Sequence, residues 1–214
     1  PFVDNSSAHA TPTAAALRIG GYVPCSLSDF PGRIAAVVFT QGCNWRCPWC
    51  HNAALVYPEQ FTPPIPVGDI LARLANRRGK LDGVVVSGGE PTLHAGLAVF
   101  LRQVRALGFA TKLDTNGSHP EVVRALLAAR LLDYVAMDLK APWSRYAEAT
   151  GSPVDLGALT EELRKAGIVR EQLARLPGPV MRPLRPEEAQ VTLAEFPEPG
   201  GRDHQDEHAQ RNQR

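Results

Sequence analysis

No stretch of this chain approaches the roughly 18 unbroken apolar residues that a membrane-spanning helix needs. Charge of one sign is missing too: 23 Lys and Arg face 22 Asp and Glu, a net charge of +1. These charges are spread along the chain, so it carries no electrostatic footprint for nucleic acid or an anionic membrane surface. Cysteine is scarce, four in 214 residues. Three of the four lie too close together for a disulfide framework, which points to a reducing compartment and makes cytoplasmic localisation the expectation. The segment Pro1 to Thr13 is rich in Ser, Thr, Ala and Pro and lacks the basic-then-apolar order of a secretory signal. A hydrophobic content of 44% and a charged content of 21% are ordinary for one soluble domain with a substantial core.

The scarce cysteines are grouped. Cys43, Cys47 and Cys50 fall within the run Gly42-Cys43-Asn44-Trp45-Arg46-Cys47-Pro48-Trp49-Cys50-His51-Asn52, and Cys25 stands apart. Three thiolates on one loop suit three irons of a [4Fe–4S] cube and leave the fourth iron open to a small molecule. A zinc site with His51 as fourth ligand is the alternative. Structural zinc sites, however, usually join two separated ligand pairs, and no second pair exists here. Cys25, without a clustered partner, reads as a small packing residue.

Four apolar runs read as strands buried on both faces of a parallel sheet: Ile34–Thr40, Gly83–Ser87, Ala110–Thr115 and Tyr134–Leu139. Helical stripes separate them. Ile70, Leu71 and Leu74 mark the first, and Leu97, Phe100, Leu101, Val104 and Leu107 the second. Val122, Val123, Leu126 and Leu127 mark the third, opened by Pro120 and Glu121. This alternation predicts right-handed βαβ units in a parallel α/β sheet or barrel. Each strand runs into polar or glycine-rich residues: the cysteine loop, Gly88–Pro91, Asp114–Gly117 and Asp138–Lys140. Active sites of such folds lie at the carboxyl ends of the strands. His94 and His119 read as surface or cap residues, and Ser28–Gly32 as a turn.

Residues 1–16 read as a disordered leader, 17–196 as the folded domain and 197–214 as a disordered tail. The last quarter differs from the rest. Leu156, Leu159 and Leu163 keep a helical spacing up to Gly167, but no buried strand is legible after them. Six of the 19 prolines fall in Pro177–Pro199, which disfavours central strands. Val191–Phe196 is at best a short strand.

Cys43-x3-Cys47-x-Trp49-Cys50, followed 38 residues later by Gly88-Gly89-Glu90-Pro91, resembles the signature of radical S-adenosylmethionine (SAM) enzymes. The wording around these motifs is most similar to activating proteins of anaerobic ribonucleoside-triphosphate reductase. The phrases that carry this likeness are Ser28-Asp29-Phe30-Pro31-Gly32, Phe39–Asn44, Cys50-His51-Asn52, Ser87–Leu93, Lys112–Gly117 and Asp133–Pro142. The likeness covers roughly Leu17 to Gly151 and fades beyond about Gly167, where an Arg-Thr-Thr type strand of the relatives is not found.

The resemblance implies a partial (β/α)6 TIM-like barrel of the radical SAM type. It implies a [4Fe–4S] cluster on Cys43, Cys47 and Cys50 and a SAM site drawing on Trp49, Gly88, Gly89, Glu90, Pro91, Asp114, Asn116, Asp138 and Lys140. Glycines there let backbone approach a ligand closely, and Glu90 is expected to accept hydrogen bonds from the SAM ammonium group. Lys140 is expected at the SAM carboxylate. Asp114, Thr115, Met137 (by its carbonyl) and Asp138 are expected to cage a monovalent cation, an oxygen-only set that suits a hard ion.

The implied activity is reductive cleavage of SAM to methionine and a 5′-deoxyadenosyl radical, with an electron from flavodoxin or ferredoxin. The radical would then take hydrogen from a glycine Cα of the partner reductase. The strand-end motifs serve the shared cofactor, so another glycyl-radical enzyme or a small molecule remains an alternative substrate. The irregular ending leaves a further alternative, a degraded Fe–S binding protein without turnover.

Overall fold

The computed structural model describes residues 17–138, 140–141, 143–155, 157 and 191–194. Its six strands are β1 (Ile19–Ser26), β2 (Ala35–Thr40), β3 (Gly83–Gly88), β4 (Ala110–Thr115), β5 (Tyr134–Asp138) and β6 (Val191–Ala194), side by side in that order. From β2 to β6 every pairing is parallel. The apolar runs of the sequence form β2 to β5 because Val-rich segments gain most when both sheet faces are covered. The helices α1 (Ala53–Val56), α2 (Val67–Ala75), α3 (Leu97–Ala106), α4 (Pro120–Ala128) and α5 (Tyr146–Thr150) lie between or after them. Successive right-handed crossovers lay α2, α3 and α4 on one side of the sheet, the arrangement of a partial barrel.

The two sheet faces have different content, as the twofold alternation of strands requires. Ala36, Val38, Val84, Val86, Leu113 and Val135 pack against Ile70, Leu74, Leu97, Phe100, Leu101, Val104, Val123 and Leu126 of the three helices. The opposite, lumen-side face carries Ala35, Val37, Val85 and Tyr134, with Phe30 beside them. The Ser28–Gly32 segment has a structural purpose here. Phe30 is 3% exposed, and its ring lies 6.2 Å from that of Tyr134, plugging the amino-terminal end of the lumen.

Strand register is pinned by aspartates that precede two of the strands. Asp82 accepts from the Ile34 amide at 2.8 Å, and Asp133 accepts from the Thr111 amide at 2.7 Å and from Arg105 at 2.5 Å. A one-residue slip would exchange the two faces, so these ties protect which side chains reach the carboxyl ends.

Two strands lie outside the four buried runs, β1 unforeseen and β6 within the short strand expected. β1 pairs antiparallel with β2 and is half exposed. Gly20, Gly21 and Pro24 hide it in the sequence, and an edge position tolerates all three, because an edge residue needs backbone pairing on one side only. β6 realises part of the Val191–Phe196 run as four residues beside β5. The expected helix to Gly167, apart from Gly157, lies outside the described residues, as do the 1–16 leader and the 197–214 tail. Among the described residues no helix is long and apolar enough to cross a membrane.

Candidate metal and cofactor centre

The carboxyl ends of β2, β3, β4 and β5 bring the motifs together. The cysteine loop leaves β2 and is tied down at both flanks. The Gly42 amide donates to the Leu55 carbonyl at 2.6 Å, and the Arg46 amide to the Thr150 carbonyl at 2.8 Å. Inside the loop, Arg46 Nη1 donates to the Cys43 and Trp45 carbonyls at 2.5 and 2.8 Å. Trp45 is 3% exposed and meets Tyr146 edge-on at 5.7 Å, which anchors the loop to α5. Burial pushes the Tyr146 phenol up to about 12, so the ring stays neutral beneath the loop. Sequence reasoning assigns none of these anchors. Their only signal is an aromatic and an arginine inside a cysteine motif.

Cys43, Cys47 and Cys50 are free thiols, partly buried, and Cys43 lies close enough to feel the charge of the other two. Burial pushes Cys43 and Cys47 above the usual thiol range, while the Lys140 ammonium pulls Cys47 partly back. Without metal Cys43 and Cys47 therefore hold their protons at neutral pH, and metal binding would release them. The zinc alternative would have to add exposed His51 as a fourth, harder ligand. A cube asks for one soft thiolate per iron, spaced around its corners. The donor set fits the cluster.

The two glycines at the end of β3 do something more specific than bare a backbone to a ligand. Gly88 has φ +117°, and a Cβ on Gly89 would overlap the Gly42 carbonyl. The close approach lets the Gly89 amide donate to the Thr40 carbonyl at 2.9 Å and the Glu90 amide to the Gly42 carbonyl at 2.7 Å. The Gly-Gly turn and the cysteine loop thus become one platform. Gly89→Ala is expected to push them apart, destabilising the apo-protein by about 1–3 kcal/mol in denaturant unfolding and lowering the iron retained after reconstitution.

Glu90, expected to face an ammonium group, turns inward and is 0% exposed. Its Oε1 accepts from the Thr92 amide at 3.0 Å, from the Thr92 hydroxyl, and from the Thr115 hydroxyl at 2.7 Å. Its Oε2 accepts from the Asn116 amide at 2.7 Å. Four donors satisfy the carboxylate inside the protein, and the side chain staples the end of β3 to the end of β4. Pro91 is buried with it in the following 3-10 turn.

Asp114 and Asp138 reach adjacent strand ends, and the register sets Asp114 beside Ala136 and Thr115 beside Met137. Both carboxylates are paired: Lys112 Nζ lies 2.5 Å from Asp114, and Lys140 Nζ 2.8 Å from Asp138. Burial raises the Asp114 carboxyl, and Lys112 opposes that rise. Lys112 is a residue the motifs do not single out. It is 4% exposed on the lumen face, with its ammonium 5.7 Å from the centre of the Tyr134 ring. A monovalent cation at the expected cage would compete with both ammonium groups, and the Thr115 hydroxyl already serves Glu90. Trp49 is 41% exposed on the cysteine loop, with Lys140 Nζ 5.4 Å from its ring. His94 is half-buried after the Glu90 turn, and His119 precedes α4 without a side-chain cap bond.

Residues 37–176 match the family model described as the Radical SAM superfamily. The chain belongs to the radical SAM superfamily, a family of enzymes that uses a [4Fe–4S] cluster and SAM. Over 133 residues it is 39% identical to a putative glycyl-radical enzyme activating enzyme of Methanocaldococcus jannaschii, covering 61% of this chain and 53% of that one. Over 131 residues it is 33% identical to the pyruvate formate-lyase 1-activating enzyme of Escherichia coli K12, covering 58% and 52%. Over 90 residues it is 37% identical to a 7-carboxy-7-deazaguanine synthase of Halobacterium salinarum, covering 41% and 33%. The chain thus spans about half the length, or less, of these relatives.

Proposed function

We propose that this protein is a radical SAM enzyme that generates a glycyl radical on a partner enzyme, anaerobic ribonucleoside-triphosphate reductase. The observation that carries the reading is the joined platform: three free thiols on one loop, docked against a Gly-Gly turn at the neighbouring strand end. Two of the relatives above are named as activating enzymes of this kind, one putatively. The choice of reductase rests on the quoted phrases around the motifs.

In this reading Cys43, Cys47 and Cys50 would hold the cluster, with SAM bound beside it. When bound, the two cofactors supply one-electron cleavage of SAM and, through it, hydrogen-atom abstraction. The protein's own work is placement. The backbone of Gly88 to Pro91 walls one side of the SAM site, Lys140 offers its ammonium to the SAM carboxylate, and Trp49 shields the cysteine loop. Asp114 and Asp138 orient Lys112 and Lys140 through their ion pairs. The electron comes from flavodoxin or ferredoxin, and the setting is the cytoplasm. The β5–β6 pairing supports a sheet that continues past the helix expected to end near Gly167, against the reading of a degraded binding protein.

Anaerobically reconstituted protein with dithionite and SAM should release 5′-deoxyadenosine, and no release would end the enzymatic reading. Co-expression with the reductase should give a glycyl-radical EPR doublet. The likeness to a deazaguanine synthase favours a small-molecule substrate as the second reading. SAM cleavage without any protein-borne doublet, on this or another glycyl-radical enzyme, would select it.

A further inference from the structure

Asn116 is 6% exposed, and its backbone N–H and both side-chain polar atoms have defined partners. Its backbone N–H donates to Glu90 Oε2 at 2.7 Å. Its Oδ1 accepts from the Ser118 amide at 2.9 Å. A carbonyl oxygen is the only side-chain atom of asparagine that can take that hydrogen, so the orientation of the amide is settled and the NH2 must face the other way. There it donates to Asn44 Oδ1 at 3.0 Å and to Cys43 Sγ at 3.9 Å, within the longer reach of a sulfur acceptor. Asn44 is held in turn by its own Nδ2, which donates to Ser118 Oγ at 2.9 Å.

We propose that Asn116 sets the reduction potential of the cluster by donating a side-chain N–H to the Cys43 thiolate, with Glu90 and Asn44 fixing it in place. The proposal rests on the reading that Cys43, Cys47 and Cys50 ligate the cluster. Cys43 receives a second N–H, from the Trp45 amide at 3.4 Å, but that one belongs to the cysteine loop and moves with it. Asn116 comes from the end of β4, so its bond to sulfur depends on how the cysteine loop docks against the neighbouring strands. Reduction adds negative charge to a cluster and its thiolates. A donor aimed at one of those sulfurs therefore stabilises the reduced form more than the oxidised form and raises the potential. The effect is largest where water is excluded, as it is around Asn116. Asn116 is in this role a tuning residue rather than a ligand of SAM, and Glu90 is its positioning residue.

The test compares wild-type, Asn116→Leu and Asn44→Ala proteins, each reconstituted with iron and sulfide, analysed for iron per chain and titrated to a midpoint potential by EPR. Asn116→Leu keeps a similar volume without the donor. It is expected to make one-electron reduction about tenfold less favourable, a fall of ~59 mV. Asn44 is exposed, so its truncation leaves the fold standing while removing the acceptor that, beside the Ser118 tie, holds the Asn116 NH2 next to Cys43. It is expected to give a smaller fall in the same direction. Potentials matching wild type in iron-loaded variants overturn the proposal and leave the cluster reading intact. If Asn116→Leu holds no cluster, Asn44→Ala decides by the same criterion. A wild-type protein that retains no cluster sinks the cluster reading, and this proposal with it.

Discussion

Replacing any one of Cys43, Cys47 or Cys50 by alanine is expected to abolish both cluster retention and SAM cleavage. Loss of an outer partner of a metal ligand already costs roughly 10–100-fold in metal affinity or activity, and loss of a ligand costs more. The three thiols sit on a loop anchored by Trp45, Arg46 and the Gly42 amide, so the truncated site has no fourth thiol to recruit nearby. Cys25 lies exposed on the edge strand β1 and serves as the control: Cys25→Ser should keep the wild-type iron content. Iron and sulfide analysis with the visible absorption of the reconstituted protein reads the result. A single loop variant that keeps a full cluster and cleaves SAM at the wild-type rate would refute the assignment of that cysteine.

Glu90→Ala is expected to be the most destabilising single substitution at the site. The carboxylate is fully buried and accepts four hydrogen bonds from Thr92, Thr115 and Asn116. Truncation strands these donors without water, at roughly 1–3 kcal/mol for each one left unsatisfied. It also frees the end of β3 from the end of β4. A total loss of about 3–5 kcal/mol is the expected scale for breaking a buried charged network, measured by denaturant unfolding of the apo-protein. Glu90→Gln keeps the volume and most acceptor capacity and should lose less. If Glu90→Ala unfolds at the wild-type denaturant midpoint while its SAM affinity falls sharply, the carboxylate faces the ligand rather than the protein.

Much of this architecture is legible in the order of residues. The runs read as buried parallel strands form β2 (Ala35–Thr40), β3, β4 and β5 (Tyr134–Asp138), with exposed Ile34 outside β2 and Leu139 outside the described residues, because continuous apolar runs bounded by polar turns have few other uses. The three helical stripes fall where α2, α3 and α4 lie. β1 escapes such a reading because its glycines and proline contradict strand propensity, and only its neighbour β2 makes it a strand. The two lysines illustrate a different gap. Lys140 stands out in a strand-end motif, whereas Lys112 looks like an ordinary polar interruption of β4. Its value appears only when the pleat turns it, with Asp114, into the lumen over Tyr134.

The linear order of residues carries the likeness to radical SAM enzymes, because the spacing of three thiols and the Gly-Gly-Glu-Pro turn are local facts, and the superfamily match over residues 37–176 bears it out. Tertiary contact alone decides what those motif residues touch. Gly89 serves the approach of two loops, Glu90 serves the neighbouring strand, and Asn116 reaches a cysteine 73 positions away. The physical reason is that hydrogen-bond partners and burial belong to pairs of residues, and a parallel sheet pairs residues far apart in sequence. A motif names the chemistry at one strand end. The register of the sheet determines which other strand end completes it.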